Sequence, residues 1–377
     1  MHTPGESPSV ALDGLELRVL HLPLVSPFTT SFGTETVREV IVLRTLGSGA
    51  DGWGEIVTQN APLYSSEYTQ GAWDVTVRWL APALLAAGTV SPPDVARILA
   101  PFVGHRMAKA GLELAVLDAS LRTAGVSLAR HLGAVRERVP SGVSVGIQAD
   151  PAALVAAVGG YLAQGYERIK IKIAPGRDVA PTRAVREAFG DIPLQVDANS
   201  AYTLADAALL AELDRFDLLL LEQPLAEDDL VDHAQLARLV RTPVCLDESI
   251  TSAKAAADAI DLGAAAIVNI KAGRVGGYLE AVRVHDVCRA AGVPVWCGGM
   301  LETGIGRAAN AALAALPGFT LTGDVSASDR FYHRDIVTEP MTLTDGHVRV
   351  PSGPGIGVEV DEAAIDAVTV AREVIRR

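Results

Sequence analysis

The chain is poor in cysteine, in positive charge and in uninterrupted apolar sequence. Three cysteines among 377 residues (Cys245, Cys288, Cys297) are too few and too scattered for a disulfide framework, which fits a reducing cytoplasm. A formal net charge of −13 argues against nucleic acid as a partner. No stretch approaches about 18 uninterrupted apolar residues, so no membrane-spanning helix is expected. The opening MHTPGESPSVAL lacks the basic-then-apolar order of a signal peptide, and residues 1–13 read as a loose leader. No long linker, tandem repeat or low-complexity segment interrupts the chain. What is present is a composition 49% hydrophobic and 20% charged, enough for a large core. The length suits a barrel of about 250 residues with a smaller partner domain.

The stretch from Lys170 to Lys271 carries the chemistry. Ile169-Lys170-Ile171-Lys172-Ile173 is a strand-like run with its lysines two apart, on one face. Val196-Asp197-Ala198-Asn199, Leu221-Glu222-Gln223-Pro224, Leu246-Asp247-Glu248 and Asn269-Ile270-Lys271 follow. The gaps from Asp197 to Glu222, Glu222 to Asp247 and Asp247 to Lys271 are 25, 25 and 24 residues. That period fits one strand, one return helix and two short loops. Each segment is an apolar run ending in a charge, as a buried parallel strand would deliver it to a barrel's C-terminal rim. Three carboxylates at one height on neighbouring strands would repel, so a divalent cation held through oxygen, most simply Mg²⁺, is expected among them. Burial and a neighbouring ammonium would lower a lysine from about 10.4 towards the range of a useful base. Asn199 could reach the metal or a substrate oxygen, Glu248 reads as a supporting group, and Arg274 could tune Lys271. The run Cys297-Gly298-Gly299-Met300-Leu301-Glu302-Thr303-Gly304 leads into a helix and offers backbone N–H groups to an anion.

Before this stretch, Leu15–Leu24, Val37–Thr45 and Gly52–Thr58 read as an antiparallel meander. Between the first two lies Ser26–Gly33, a polar loop whose Phe28 and Phe32 suit a cover over a ligand. Glu67–Ala87, Pro92–Val103 and Met107–Ala124 have helical periodicity. Barrel strands begin with Gly142–Ile147, which carries Ser144, and end with Val293–Gly298 and a short eighth at Leu321–Asp324. The expected fold is α/β: a modified TIM barrel, (β/α)7β, with an α+β N-terminal capping domain completed by the C-terminal tail. The corresponding divisions are residues 1–135 for the cap, 136–330 for the barrel and 331–377 for the returning segment.

The set Lys170-x-Lys172, Asp197, Glu222, Asp247 and Lys271 resembles the enolase superfamily, in its muconate-lactonizing-enzyme subgroup. Pro62-Leu63-Tyr64-Ser65-Ser66-Glu67-Tyr68, Gly104-His105-Arg106-Met107-Ala108-Lys109, Asn269–Tyr278 and Gly298–Gly304 are similar to the N-succinylamino acid racemase/o-succinylbenzoate synthase family. The likeness runs from about Leu15 to about Val360. Gln59-Asn60 depart from it, standing where the family carries an apolar, Met-containing pair. The resemblance implies abstraction of a proton alpha to a carboxylate through an enediolate. Asp197, Glu222 and Asp247 would hold Mg²⁺, with Mn²⁺ or Co²⁺ as substitutes. Lys172 and Lys271 would be the proton carriers, with Lys170 assisting by charge. Substrate-facing or supporting positions would be Ser144, Asn199, Glu248, Arg274, Gly298, Gly299, Met300, Tyr64, Phe28 and Phe32. The partner would be a small carboxylate, the protein a cytoplasmic homo-oligomer, and the reaction racemisation of N-acylamino acids or the o-succinylbenzoate dehydration of menaquinone biosynthesis. A dipeptide epimerase or muconate cycloisomerase is the alternative within the subgroup. A non-catalytic metal-binding barrel would gain nothing from two lysine strands facing inward.

Overall fold

A computed structural model describes residues 8–47 and 49–377. The N-terminal strands Gly14–Thr29, Thr34–Leu46 and Trp53–Ile56 form an antiparallel sheet. Its fourth, edge member is the C-terminal strand Thr369–Arg376, which pairs with Gly14–Leu20. Alternation along the first strand sends Leu15, Leu17 and Val19 into one apolar cluster, and Leu20, Leu22 and Leu24 into the cluster that continues into the barrel. Helix Arg106–Ala124 packs on this sheet and is buried along almost its whole length. Its buried acids are satisfied inside, Glu113 by Leu279 N and Asp118 by Trp53 N and Ile356 N. The helix is the layer between sheet and barrel.

Seven strands form the barrel sheet: Gly142–Val145, Arg168–Lys172, Leu194–Asp197, Leu221–Glu222, Val244–Leu246, Ile267–Ile270 and Val295–Cys297. Their spatial order is their sequence order, with every neighbour parallel. Helices intervene as the 25-residue period requires. The expected eighth strand is not a ladder. Residues 319–324 bridge the gap through single contacts, Phe319 with Val295 and Gly323 with Ser141. Asp324 N donates to Cys297 O at 2.8 Å, and Gly142 N to Gly323 O at 2.8 Å.

Other details differ from the sequence reading. Val10–Ala11 pair with Thr89–Val90 rather than lying loose, while residues 1–7 lie outside the described residues. The Ser26–Gly33 loop is mostly strand, with Thr29 opposite Thr34 and only residues 30–33 turning. The long helix after Glu67 contains a π-helical stretch, Thr76–Leu80, just ahead of Pro82. A proline removes one backbone donor, which favours such a local shift of the ladder. In the tail, His347–Arg349 pairs with Arg138–Pro140, and the terminal helix Glu362–Val368 runs on into the edge strand. Among the described residues, no helix is long and apolar enough to cross a membrane.

Candidate active site

Register decides which residues face the barrel interior. Lys172 stands opposite Asp197, Asp197 opposite Glu222, and Glu222 opposite Cys245. Because side chains alternate with period two, the inward set includes Ser144, Lys170, Lys172, Asp197, Glu222, Asp247, Asn269 and Lys271. Asp247 lies two residues beyond the partner of Glu222, so the three acids climb in a stagger rather than sharing one height. Strand tilt in a barrel produces that stagger. Beneath the site, Leu220, Cys245, Ile267 and Trp296 plug the barrel, and the Lys170 ammonium lies 4.8 Å from the Trp296 ring centre.

The lysines and acids are interleaved. Lys172 Nζ is 2.6 Å from Asp197 Oδ2 and 2.6 Å from Asn199 Oδ1. Lys170 Nζ contacts Asp324 Oδ2 at 2.6 Å, Glu222 Oε2 at 3.0 Å and Asp197 Oδ2 at 3.3 Å. Lys271 Nζ donates to Asp247 Oδ2 at 2.7 Å and to Tyr64 Oη at 3.0 Å. Arg274 also pairs with Asp247, and donates to Ile250 O at 2.8 Å and Asn269 O at 2.6 Å. Asn269 holds Glu222 Oε1 at 2.8 Å, and Asn199 holds Glu248 Oε1 at 2.8 Å. Gly298 leaves space for this packing, since a Cβ there would stand 2.8 Å from Lys271 Cε.

This pairing reverses the expected direction for two lysines. Burial disfavours the Lys170 ammonium, but Asp324, Glu222 and Asp197 outweigh it and push the amine above its usual range. Lys271 is likewise raised, with burial opposed by Tyr64, Glu248 and Glu222. Burial would raise Asp197, yet Lys172 and Lys170 hold it below the usual carboxylate range. Glu222 is raised by burial and by the charge of Asp197, and Glu248 is pushed up to about 7 by the same two causes.

Among the described residues no three acids, histidines or cysteines are already drawn into a metal-holding group. The carboxylates are turned to the lysines instead. The donor chemistry nevertheless fits a hard divalent cation. Asp197, Glu222 and Asp247 are all-oxygen donors on adjacent strands, two of them mutually repelling, and Glu248 Oε2 is buried without a hydrogen-bond partner. A cation there would take over the acids' charge and release Lys172 and Lys271 from their ion pairs.

The substrate-facing candidates separate into groups. Ser144, Gly299 and Phe28 line the lysine cavity together with Glu302, Arg307, Asp324 and Arg330. Tyr64, Phe32, Asn199, Glu248 and Arg274 line outer clefts of about 310 and 260 Å³ at the join of cap and barrel. Met300 is buried in the apolar cluster of the N-terminal sheet. At the helix end of the glycine-rich rim the N–H groups are taken by the protein's own carboxylates. Thr303 N and Gly306 N donate to Glu55 at 3.0 and 2.9 Å, and Gly304 N to Asp335 at 2.8 Å. Sequence reasoning missed Asp324, Arg307 and Arg330. Asp324 ended the proposed eighth strand, the one signal that could have found it.

Residues 15–133 match the mandelate racemase/muconate lactonizing enzyme N-terminal domain, and 153–364 the enolase C-terminal domain-like family. The chain therefore belongs to the enolase superfamily. Within it, the chain is 62% identical to the N-succinylamino acid racemase of an Amycolatopsis species, over 96% of this chain and 98% of that one. It is 47% identical to the o-succinylbenzoate synthase of Geobacillus kaustophilus, over 96% of each. An enolase-superfamily structure from Listeria innocua superposes with a TM-score of 0.93 at 40% identity, covering 97% of this chain and 99% of that one. These likenesses make the chain a member of the N-succinylamino acid racemase/o-succinylbenzoate synthase family.

Proposed function

We propose that this enzyme removes the proton alpha to a carboxylate of N-acylamino acids, N-succinylamino acids first, and racemises them. The same site would carry out the o-succinylbenzoate dehydration. The observation that carries this reading is that Lys172 and Lys271, from the second and sixth barrel strands, reach one cavity with acids between them. Asp197, Glu222 and Asp247 would hold Mg²⁺, which supplies positive charge to the substrate carboxylate as negative charge develops there.

The chain's own groups then have distinct tasks. One lysine Nζ takes the α-proton, the C–H electron pair passes into the carboxylate, and the other Nζ returns a proton to the opposite face. Lys170, held by three acids, stays an ammonium and contributes charge only. In dehydration, Lys172 takes the proton and gives one to the departing hydroxide, so water leaves while Lys271 lends its charge. Tyr64, from the cap, covers Lys271 and helps exclude water. The cysteine-poor, acidic composition supports a cytoplasmic setting.

The test is turnover of each N-succinylamino acid enantiomer in D₂O, followed by NMR and polarimetry, beside an o-succinylbenzoate synthase assay. Deuterium at the α-carbon with loss of optical rotation is expected. Absence of α-deuterium from both enantiomers would defeat the racemase reading.

A further inference from the structure

Arg330 is a buried cation with no ion pair among the described residues; Asp324, already paired with Arg168 and Lys170, attracts it only from beyond ion-pair distance. It ends the short turn Ser328–Arg330 and is 8% exposed. Its guanidinium carbon lies 4.7 Å from the Phe331 ring centre, 4.8 Å from Tyr161 and 5.9 Å from Phe28. Nη2 donates to Ser144 O at 2.9 Å, while Nε is buried with no partner. Among the described residues no carboxylate stands within ion-pair distance of it. Arg307, which also lines the cavity, donates through Nη1 and Nη2 to Ser326 and the Glu302 carbonyl, while its Nε is likewise buried without a partner, so it relieves nothing.

Aromatic faces stabilise a guanidinium, but they leave its edge unsatisfied. A buried charge held only by ring faces and one carbonyl is costly unless an anion joins it. The neighbouring polar group shows the same gap. Ser144 Oγ is buried without a hydrogen-bond partner. Its residue is in register with Lys170, one strand away, at a spacing of about 4.8 Å. Both unfilled groups line the cavity that holds Lys172 and Lys271.

We infer that Arg330, with the Ser144 hydroxyl, seats a second carboxylate of the substrate, at the far end of its acyl group. This rests on the racemase reading above and adds its acyl selectivity. A four-carbon dicarboxylic acyl group places its free carboxylate roughly 6 Å from the α-carbon, given bonds of about 1.5 Å. That reach spans neighbouring strands. Guanidinium meets carboxylate through two parallel N–H donors, and Ser144 adds a third. Phe28 brings the cap into this arrangement. It packs edge-on against Phe331 at 6.0 Å, and its neighbour Thr29 accepts from Ile147 N at 2.8 Å. The cap strand thus closes the box around Arg330. An acetyl group in the same place would leave the cation unanswered.

The experiment measures kcat/KM for the N-succinyl and N-acetyl derivatives of one amino acid, in wild type and in Arg330→Met. The succinyl-to-acetyl ratio should fall tenfold or more in the variant. A smaller change overturns the proposal, because a purely structural Arg330 would lower both rates together. Circular dichroism and the melting midpoint show whether Arg330→Met folds. If it does not, Ser144→Ala decides on the same ratio, with a threefold fall as the threshold. A wild-type enzyme that racemises neither derivative would overturn the functional reading, and this subsite with it. A wild type active on both, with an unchanged ratio in the variant, would overturn the subsite alone.

Discussion

Replacing Lys271 by arginine separates charge from base. The side chain is almost wholly buried, with its stem against Gly298, its amine 2.7 Å from Asp247 and 4.6 Å from the Tyr64 ring centre. A guanidinium can keep the ion pair with Asp247, but it does not give up a proton at any working pH. A positioned acid–base group is worth about 10² to 10⁴ in rate, so racemisation should fall by about 10²-fold or more, roughly 2.7 kcal/mol of barrier. The more telling readout is exchange. In the proposed mechanism Lys172 still serves one side of the α-carbon, so one enantiomer should continue to take up solvent deuterium without inverting. Its mirror image should not exchange. Proton NMR in D₂O on each pure enantiomer measures this directly. Dehydration, which asks only for charge at position 271, should lose less than racemisation. Exchange lost from both enantiomers alike, or racemisation retained, would show that Lys271 is not the second base.

Two further outcomes follow from the acids. Exhaustive chelation with EDTA should abolish activity and Mg²⁺ should restore it; full activity after chelation would remove the metal from the mechanism. Asp247→Asn should lose more than 99% of kcat/KM even at saturating Mg²⁺, on the order of 3 kcal/mol in barrier. Here both Lys271 and Arg274 lose the carboxylate they share, so near-wild-type activity would refute the assignment.

Much of the site was legible because a barrel repeats. A 25-residue spacing tells which residues end successive strands, and inward alternation then gathers Lys170, Lys172, Asp197, Glu222, Asp247 and Lys271 without further information. What was not legible depended on partners from other elements. A lysine read beside a second lysine is expected to have a depressed pKa. Lys170 instead meets Asp324, from the bridging segment that replaces a regular eighth strand. The Gly298–Gly304 run looked open to an anion, and only the packing of the cap reveals that Glu55 already takes the Thr303 N–H, and Gly306 N just beyond the run. Met300 sits in a motif at the rim yet points into the cap's core. Arg330 lies in the irregular connection after the barrel, where no periodicity marks a side chain as inward.

Two buried acids join cap to barrel, and their chemistry gives the joint a pH dependence. Glu55 accepts from Thr303 N, Thr303 Oγ1 and Gly306 N, at the start of helix Gly304–Ala314. Glu113, on the long cap helix, accepts Leu279 N at 3.0 Å, at the start of helix Tyr278–Ala290. Its carboxylate lies where Gly277, at φ +146°, has no side chain; a Cβ there would come within 2.2 Å. Burial dominates both groups. It overcomes the N–H donors and pushes each carboxyl from 4.5 up to about 7. A rise of that size corresponds to roughly 3 kcal/mol per group in favour of the protonated folded form. In the unfolded chain each acid ionises near 4.5. The stabilisation relative to a permanently ionised group is therefore complete below about pH 4.5, and is lost as pH rises to about 7. Glu113→Gln keeps a neutral acceptor of the same shape and cannot ionise. The unfolding free energy of this variant minus that of wild type should rise by about 3 kcal/mol from pH 4.5 to pH 8 in urea melts. Taking the difference cancels the carboxylates of the active site, which ionise alike in both proteins. A flat or falling difference would mean that Glu113 is charged in its burial site at every pH, with the helix N–H groups outweighing the loss of water.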